Sequence, residues 1–188
     1  MTTRYLILQD GTVYAGEAFG APATTFGELV FNTAMTGYQE IITNPIYYNQ
    51  IVMFTAPTIG AAGINHYADE SIVPAVKGVV VREIAEISTN RLQALSLNDY
   101  LKRHNIPGIS QIDTRALTRH LRETGVQKAS IVDQPDDHAF DQLRAMVLTN
   151  QQIAQISTPK AYANPGRGAN VVVLDFGLKS GILRMLSD

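Results

Sequence analysis

The sequence has no cysteine, few charged residues and no long apolar run. Without cysteine, the chain forms no disulfide, uses no thiolate nucleophile and holds no zinc or iron–sulfur cluster through sulfur. Its 15 basic and 17 acidic residues give a net charge of −2, so no basic field attracts a nucleic acid. No stretch approaches the ~18 apolar residues of a membrane span, and the N-terminus lacks a signal-peptide core. We therefore expect a soluble cytoplasmic protein without nucleic-acid or membrane partners.

Motifs of common catalytic and phosphate-binding sites are also missing. The chain has no Gly-x-Ser-x-Gly elbow, no His-Glu-x-x-His pair and no glycine-rich phosphate loop. His104 and His120 fall on predicted helix faces and are interpreted as structural, whereas His66, in a glycine-rich loop, is a better functional candidate. The adjacent Asp69-Glu70 pair is interpreted as solvated surface. We expect no metal site, and the residues alone form no complete catalytic constellation.

Short apolar runs bounded by turns predict a β-rich first half. The predicted strands are Tyr5–Leu8, Thr12–Ala15, Glu28–Thr33, Ile51–Thr55 and Val76–Val81. Asp10-Gly11 joins the first two as a hairpin, and Gly78 indicates a bulge or a close backbone approach within its strand. The segment Gln39–Thr43 is either one helical turn or an extended loop.

From Leu97 onward, the apolar residues recur at the spacing typical of helices. A helix is predicted from Leu97 to about His104, with Ser96 as its N-cap, because apolar residues recur there at helical spacing. A second is predicted for Thr114–Thr124, between the N-cap Asp113 and the stop Gly125, and a third begins near Asp136 or Asp137. These three helices complete a predicted first domain, residues 1–150.

The last part of the sequence predicts a linker and one βα unit. Residues 151–168 contain two prolines and two glycines and are typical of an interdomain linker. Ala169–Leu174 is predicted as a continuous apolar strand and Lys179–Leu186 as a helix. A single βα unit cannot cover both faces of a parallel strand. We therefore expect it either to dock on the first domain or to belong to a natural chain that continues past Asp188.

Two polar blocks stand out against this apolar background. Asn32–Glu40 directly follows a predicted strand and is rich in amides and hydroxyls. Such a turn binds a small polar ligand or another subunit, or it satisfies its own backbone, and both alternatives stay open. The second block, Ile112–Arg119, is interpreted as a helix start with arginine on the solvent face.

These blocks resemble the small, glutamine-hydrolysing subunit of carbamoyl phosphate synthetase. The resemblance begins with an eleven-residue run, Phe31–Ile41. Further blocks follow in the same order as in that family: Thr43–Pro45, Gln50–Val52, Tyr100–Ile106, Ile112–Arg119, Pro165–Gly168 and Asp175–Lys179. The resemblance covers the whole chain and is far more specific than any short motif above.

The resemblance implies an α/β fold and a place in a larger enzyme. It implies a three-layer β/β/α N-terminal domain, followed at residues 169–188 by the first strand and helix of a truncated parallel α/β amidotransferase domain. In this family a Cys–His–Glu triad hydrolyses glutamine. The ammonia passes to a large subunit that makes carbamoyl phosphate from bicarbonate and ATP, for arginine and pyrimidine synthesis. ATP and magnesium are expected on that partner, and this chain, which lacks the triad, is expected to be inactive alone.

The resemblance also assigns candidate site residues. Thr36, Gly37, Tyr38, Gln39 and Glu40 are candidates for framing the glutaminase site or binding the large subunit.

Two further positions are assigned to glutamine. Lys179 lies near the glutaminase site by resemblance, and the alternative that it is an ordinary lysine at the start of a helix stays open. Ile46 stands where the family has a serine that contacts glutamine, and since it has no hydroxyl we expect weaker or rearranged glutamine binding. Two alternatives remain: a non-catalytic module that binds a large synthetase subunit, and a domain that binds a small ligand at Asn32–Glu40.

Overall fold

The computed structural model describes residues 2–148, 151–165 and 168–187. Its strands are Thr3–Leu8 (β1), Val13–Gly20 (β2), Thr25–Asn32 (β3), Gln50–Phe54 (β4), Thr58–Ile59 (β5), Gly78–Val80 (β6), Glu83–Ile84 (β7), Pro107–Ser110 (β8) and Gln127–Val132 (β9). Its helices are Tyr38–Thr43 (α1), Leu97–Arg103 (α2), Thr114–Thr124 (α3), Asp137–Ala145 (α4), Gln152–Ile156 (α5) and Ser180–Ser187 (α6). None of the helices in these ranges is long and apolar enough to cross a bilayer.

Seven strands form a closed barrel in the order β1-β2-β8-β6-β4-β3-β9. The barrel closes because β9 pairs antiparallel with both β1 and β3. The neighbours β3, β4, β6 and β8 run parallel to one another, and β5 and β7 form a separate small sheet. The predicted mixed α/β fold is confirmed, while the three-layer β/β/α arrangement stays a prediction.

Successive side chains of each strand point alternately into the barrel interior and towards its outer surface. In β4, Ile51 and Met53 point inward, whereas Val52 and Phe54 belong to a different cluster. The interior cluster consists of fully or almost fully buried side chains: Leu6, Leu8, Leu29, Ile51, Met53, Val80, Ile109, Ile112, Leu117, Leu121, Ala129 and Ile131. Two of them, Leu117 and Leu121, come from α3, which therefore packs onto the barrel core.

The other helices cover outward-facing strand residues. Ile42 of α1 and Leu101 of α2 pack in one cluster with Val52. Leu143 of α4 packs against Ile7 of β1 in another. The amphipathic patterns that predicted α2 and α4 therefore correspond to helices laid on the outside of the barrel.

Local capping signals explain why the three central helices were predicted correctly. The side chains of Ser96, Asp113 and Asp136 each accept a hydrogen bond from the backbone NH three residues later. Gly125 ends α3 with a positive φ of 82°, as its predicted role requires. The close approach predicted at Gly78 is confirmed, because a Cβ there would lie 2.8 Å from the side chain of Ile131.

The C-terminal strand prediction is wrong. Ala169–Leu174 forms no strand, and Val172 and Leu174 are 86% and 78% exposed. An apolar run becomes a strand only beside a hydrogen-bonding neighbour, and the barrel, being closed, offers no free edge to it. The helix predicted after it is confirmed as α6.

Two other segments resolve as helices. Gln39–Thr43, left open between helix and loop, lies in α1, and the predicted linker contains α5. Residues 1, 149, 150, 166, 167 and 188 lie outside the described residues, including Gly166 and Arg167 of the predicted linker. The domain boundaries at 150 and 168 therefore stay predictions.

Candidate functional site

A groove of about 660 Å³ is formed where three distant segments meet. Its walls are the turn after α1, the helix α5 and the beginning of α6. The lining residues are Glu28, Asn44, Pro45, Ile46, Tyr48, Asn49, Gln50, Leu148, Gln152, Ile153, Ile156, Phe176, Gly177, Lys179 and Ile182. The two residues predicted to bind glutamine, Ile46 and Lys179, thus line the same groove. Its charged lining residues are Glu28 and Lys179.

The Ile46 wall is a single turn of 3-10 helix, Pro45–Tyr47. Asn44 caps this turn, since its Oδ1 accepts a hydrogen bond from the Ile46 NH at 3.2 Å. Pro45 occupies the first helical position, where its missing NH costs nothing. Ile46 is 70% exposed and offers only hydrocarbon to a ligand.

Asp175 organises the turn that leads into Lys179. One of its oxygens accepts hydrogen bonds from the Gly177 and Leu178 NH groups, each at 2.7 Å. The other accepts from the NH and the hydroxyl of Thr158. Burial raises the pKa of Asp175, but the hydrogen bonds from Thr158, Gly177 and Leu178 outweigh it and lower the pKa to about 2. The carboxylate therefore ties the chain before α6 to the chain after α5.

Close packing joins this turn to the other walls. A Cβ at Gly177 would lie 2.7 Å from Cδ1 of Ile156 and 3.6 Å from Cβ of Pro45. Gly177 also has a positive φ of 107°, which side chains other than glycine rarely adopt. The Tyr48 hydroxyl donates a hydrogen bond to Oε1 of Gln155. Glycine at 177 lets the three walls come together.

The five framing candidates lie in and before α1 but do not line the groove. Thr36 and Glu40 are exposed, and Gly37 precedes α1 with a φ of 77°. The Tyr38 hydroxyl donates to the carbonyl of Gly63 at 2.5 Å, and burial raises the pKa of Tyr38 to about 12. Gln39 is 3% exposed, so its amide makes hydrogen bonds within the protein and is not open to a ligand.

Gln39 clamps the loop that follows β5. Its Nε2 donates to the Asn65 carbonyl at 2.5 Å and to Oδ1 of Asp69 at 2.7 Å. Its Oε1 accepts from the Asn65 NH at 3.0 Å. The Gln39 amide of this polar block therefore satisfies backbone and side-chain groups of a neighbouring loop.

The same loop reaches α6 through Glu70, which the sequence analysis missed. The Glu70 carbonyl accepts from the NH and the hydroxyl of Ser180 at 2.9 and 3.0 Å. Its Oε2 accepts from the Gly181 NH at 2.9 Å. The interpretation of Asp69-Glu70 as solvated surface was wrong, because both side chains have hydrogen-bond partners far away in the chain. No local pattern signals such a long-range contact.

The second polar block is a helix start, as predicted. Asp113 caps α3, and Arg115 and Arg119 are exposed. Ile112 is buried in the barrel core. This block lies away from the lining of the groove.

The histidines also lie outside the groove lining. The ring of His104 packs against that of Tyr100 at a 50° tilt, with ring centroids 4.5 Å apart, and Nε2 of His120 lies 2.6 Å from Oδ2 of Asp10, so both have structural contacts. His66 is exposed. Among the residues that the structure describes, no group of three or more histidine and acidic side chains is placed to hold a metal ion.

Comparison with known proteins identifies the fold's relatives. The sequence profile of the family described as "Carbamoyl-phosphate synthase small chain, CPSase domain" matches residues 6–131, from β1 into β9. The chain belongs to the carbamoyl-phosphate synthase small-chain family. The resemblance seen in the sequence is thereby confirmed.

Individual relatives agree with this family. The chain is 54% identical over 184 residues to the "Carbamoyl phosphate synthase pyrimidine-specific small chain" of Lactiplantibacillus plantarum, covering 98% of this chain and 50% of the relative. It is 52% identical over 189 residues to the "Carbamoyl phosphate synthase small chain" of Streptococcus pyogenes serotype M3, covering 100% and 52%. The Streptococcus mutans small chain is also 52% identical, with the same coverage. The chain thus spans about half the length of the curated small chains it matches.

Proposed function

We propose that this chain is part of the small, glutamine-hydrolysing subunit of carbamoyl phosphate synthetase. In the complete enzyme that subunit hydrolyses glutamine and delivers ammonia to a large subunit in the cytoplasm, where bicarbonate and ATP yield carbamoyl phosphate. The observation that carries the proposal is the family membership together with the groove that unites Ile46 and Lys179. ATP and its magnesium belong to the large subunit in this proposal.

The charged residues that line the groove are suited to bind the charged groups of an amino acid. A zwitterionic amino acid carries a carboxylate and an ammonium group, and the groove offers Lys179 and Glu28 as opposite charges. Glu28 is oriented by Gln50, whose Nε2 donates to its Oε2 at 2.7 Å. The sequence has no cysteine, so the thiolate of the proposed triad is supplied by residues outside this chain. Here the groove binds and orients glutamine.

The experiment that tests this proposal compares two nitrogen sources. The complete small subunit is assembled with its large subunit, and carbamoyl phosphate formation is measured with glutamine and with ammonium. We expect both to support synthesis, and Lys179→Met to weaken only the glutamine-dependent reaction. If ammonium alone supports synthesis in the unaltered enzyme, the small subunit is a non-catalytic module and the proposal is rejected.

Ile46 offers a sharper prediction within the same assay. Ile46→Ser restores a hydroxyl at the rim of the groove, and a net hydrogen bond of ~0.5–1.5 kcal/mol lowers the glutamine KM by about 2- to 10-fold. The control is Ile87→Ser, because Ile87 is 76% exposed and lies away from the groove. An unchanged or higher KM for the Ile46 variant would contradict the prediction.

A further inference from the structure

We infer that Glu70 is a positioning residue for the glutamine site: it fixes the start of α6, and with it Lys179, relative to the turn that carries Ile46. This inference rests on the proposed function for its catalytic consequence. Its structural part rests on the hydrogen bonds that join one loop to the two helices α1 and α6. Glu70 itself does not line the groove.

The first step is the contact between Glu70 and α6. The NH groups in the first turn of a helix have no partner within the helix. Glu70 supplies two of these partners: its carbonyl accepts from the Ser180 NH and its carboxylate from the Gly181 NH, both at 2.9 Å. The negative side chain also lies at the positive end of the helix dipole. The first turn of α6 is thus held by a residue 110 positions earlier in the chain.

The second step is the attachment of Glu70 to α1. The hydroxyl of Thr43, the last residue of α1, accepts from the Glu70 NH at 2.9 Å. The Thr43 carbonyl accepts from the Ser71 hydroxyl at 2.6 Å. Thr43 is fully buried. Glu70 therefore bonds α1 through its backbone NH and α6 through its carbonyl and carboxylate.

The third step links these contacts to the two predicted glutamine residues. Thr43 is followed within three residues by Ile46, and Ser180 directly follows Lys179. A displacement of α6 from the loop therefore changes the position of Lys179 relative to the Ile46 wall. Ile182, in the first turn of α6, lines the groove as well, so the same displacement would change the shape of the groove.

Amide hydrogen exchange in this chain tests the anchoring without any activity measurement. Glu70→Ala removes the acceptor of the Gly181 NH, and we expect that amide to exchange about 10-fold faster or more. Glu70→Gln keeps an oxygen acceptor but loses the charge, so the Gly181 amide should exchange more slowly than in Glu70→Ala. The control Glu86→Gln changes an exposed glutamate elsewhere and should leave Gly181 unchanged. Equal exchange at Gly181 in Glu70→Ala and the unaltered chain would overturn the inference.

Steady-state kinetics of the complete enzyme test the positioning. We expect Glu70→Ala to raise the glutamine KM about 5-fold or more, Glu70→Gln to recover part of this, and ammonium-dependent synthesis to stay unchanged in both. An unchanged glutamine KM would overturn the positioning role even if exchange at Gly181 is faster. If the unaltered enzyme cannot use glutamine at all, the proposed function fails, and the exchange experiment then still decides whether Glu70 anchors α6.

Discussion

Asp10 lies in the turn between β1 and β2 and binds two other parts of the chain. Its carboxylate accepts from the Thr12 NH at 2.9 Å and from Nε2 of Gln127 at 2.8 Å, and it contacts His120 of α3. Burial raises the pKa of Asp10, but the bonds from Thr12, Gln127 and His120 outweigh burial and lower the pKa to about 2. The ionised form is therefore the one that stabilises the fold.

The sign of the resulting pH dependence follows from linkage. The pKa of Asp10 is about 2 in the folded chain and about 3.9 in an unfolded one. Its stabilisation is fully present above about pH 4–5 and is lost as the pH falls through about 2. We expect the difference in unfolding free energy between the unaltered chain and Asp10→Asn to shrink as the pH falls below about 4.

Denaturant unfolding between pH 7 and pH 2 measures this difference. Asp141→Asn is the matched control, since Asp141 is exposed and pairs with Arg144 of its own helix; its effect should stay within about 0.5 kcal/mol. A difference for Asp10→Asn that grows as the pH falls below about 4 would contradict the prediction.

Residues whose role depends on near neighbours were predictable from the sequence. Ser96, Asp113 and Asp136 cap helices that begin directly after them, so spacing alone revealed them. The role of Glu70 depends on its hydrogen bond with Ser180, 110 residues later in the chain. No local pattern in the sequence indicates a contact over that distance. The resemblance selected Ile46 and Lys179, but only the fold shows that they line one groove.

The buried amide of Gln39 joins α1 to the loop that follows β5. Gln39→Leu keeps the approximate size of the side chain but removes its three hydrogen bonds to Asn65 and Asp69. Each buried partner left without a hydrogen bond costs ~1–3 kcal/mol. We expect the free energy of unfolding to fall by about 1–3 kcal/mol or more, as measured by denaturant titration.

The control is Gln142→Leu, which changes an exposed glutamine on α4 and should alter stability by less than about 0.5 kcal/mol. Equal effects of the two variants would mean that the Gln39 bonds contribute nothing net. A second readout is the exchange of the Asn65 NH, which bonds Oε1 of Gln39 and should lose protection only in Gln39→Leu.

Elements with local signals were predicted better than elements that need partners. The three central helices have their own caps and apolar faces, and their bounds came close to those observed. The segment Ala169–Leu174 has the composition of a buried strand but makes no strand pairing. Strand formation is a property of the pair, so composition could not decide it.

At the scale of the whole molecule, the barrel interior supplies the central core. Met53 is fully buried there, whereas Met35 is 69% exposed. Met53→Ala should lower the free energy of unfolding by about 2–5 kcal/mol through lost burial and a cavity. Met35→Ala should change it by less than about 0.5 kcal/mol. Thermal and denaturant unfolding of both variants measure the contrast, and similar losses would mean that Met53 does not pack as described.

The closed order of the strands also has a consequence for biosynthesis. The strand β9 is the last of the nine to leave the ribosome, yet it sits between β1 and β3, two of the first. Until β9 emerges, β1 and β3 each keep an unpaired edge, and such edges invite pairing with other chains. A nascent chain that has not yet reached Val132 is therefore the species most exposed to aggregation. Once β9 pairs with β1 and β3, it covers both open edges and the chain loses this tendency to pair with other chains.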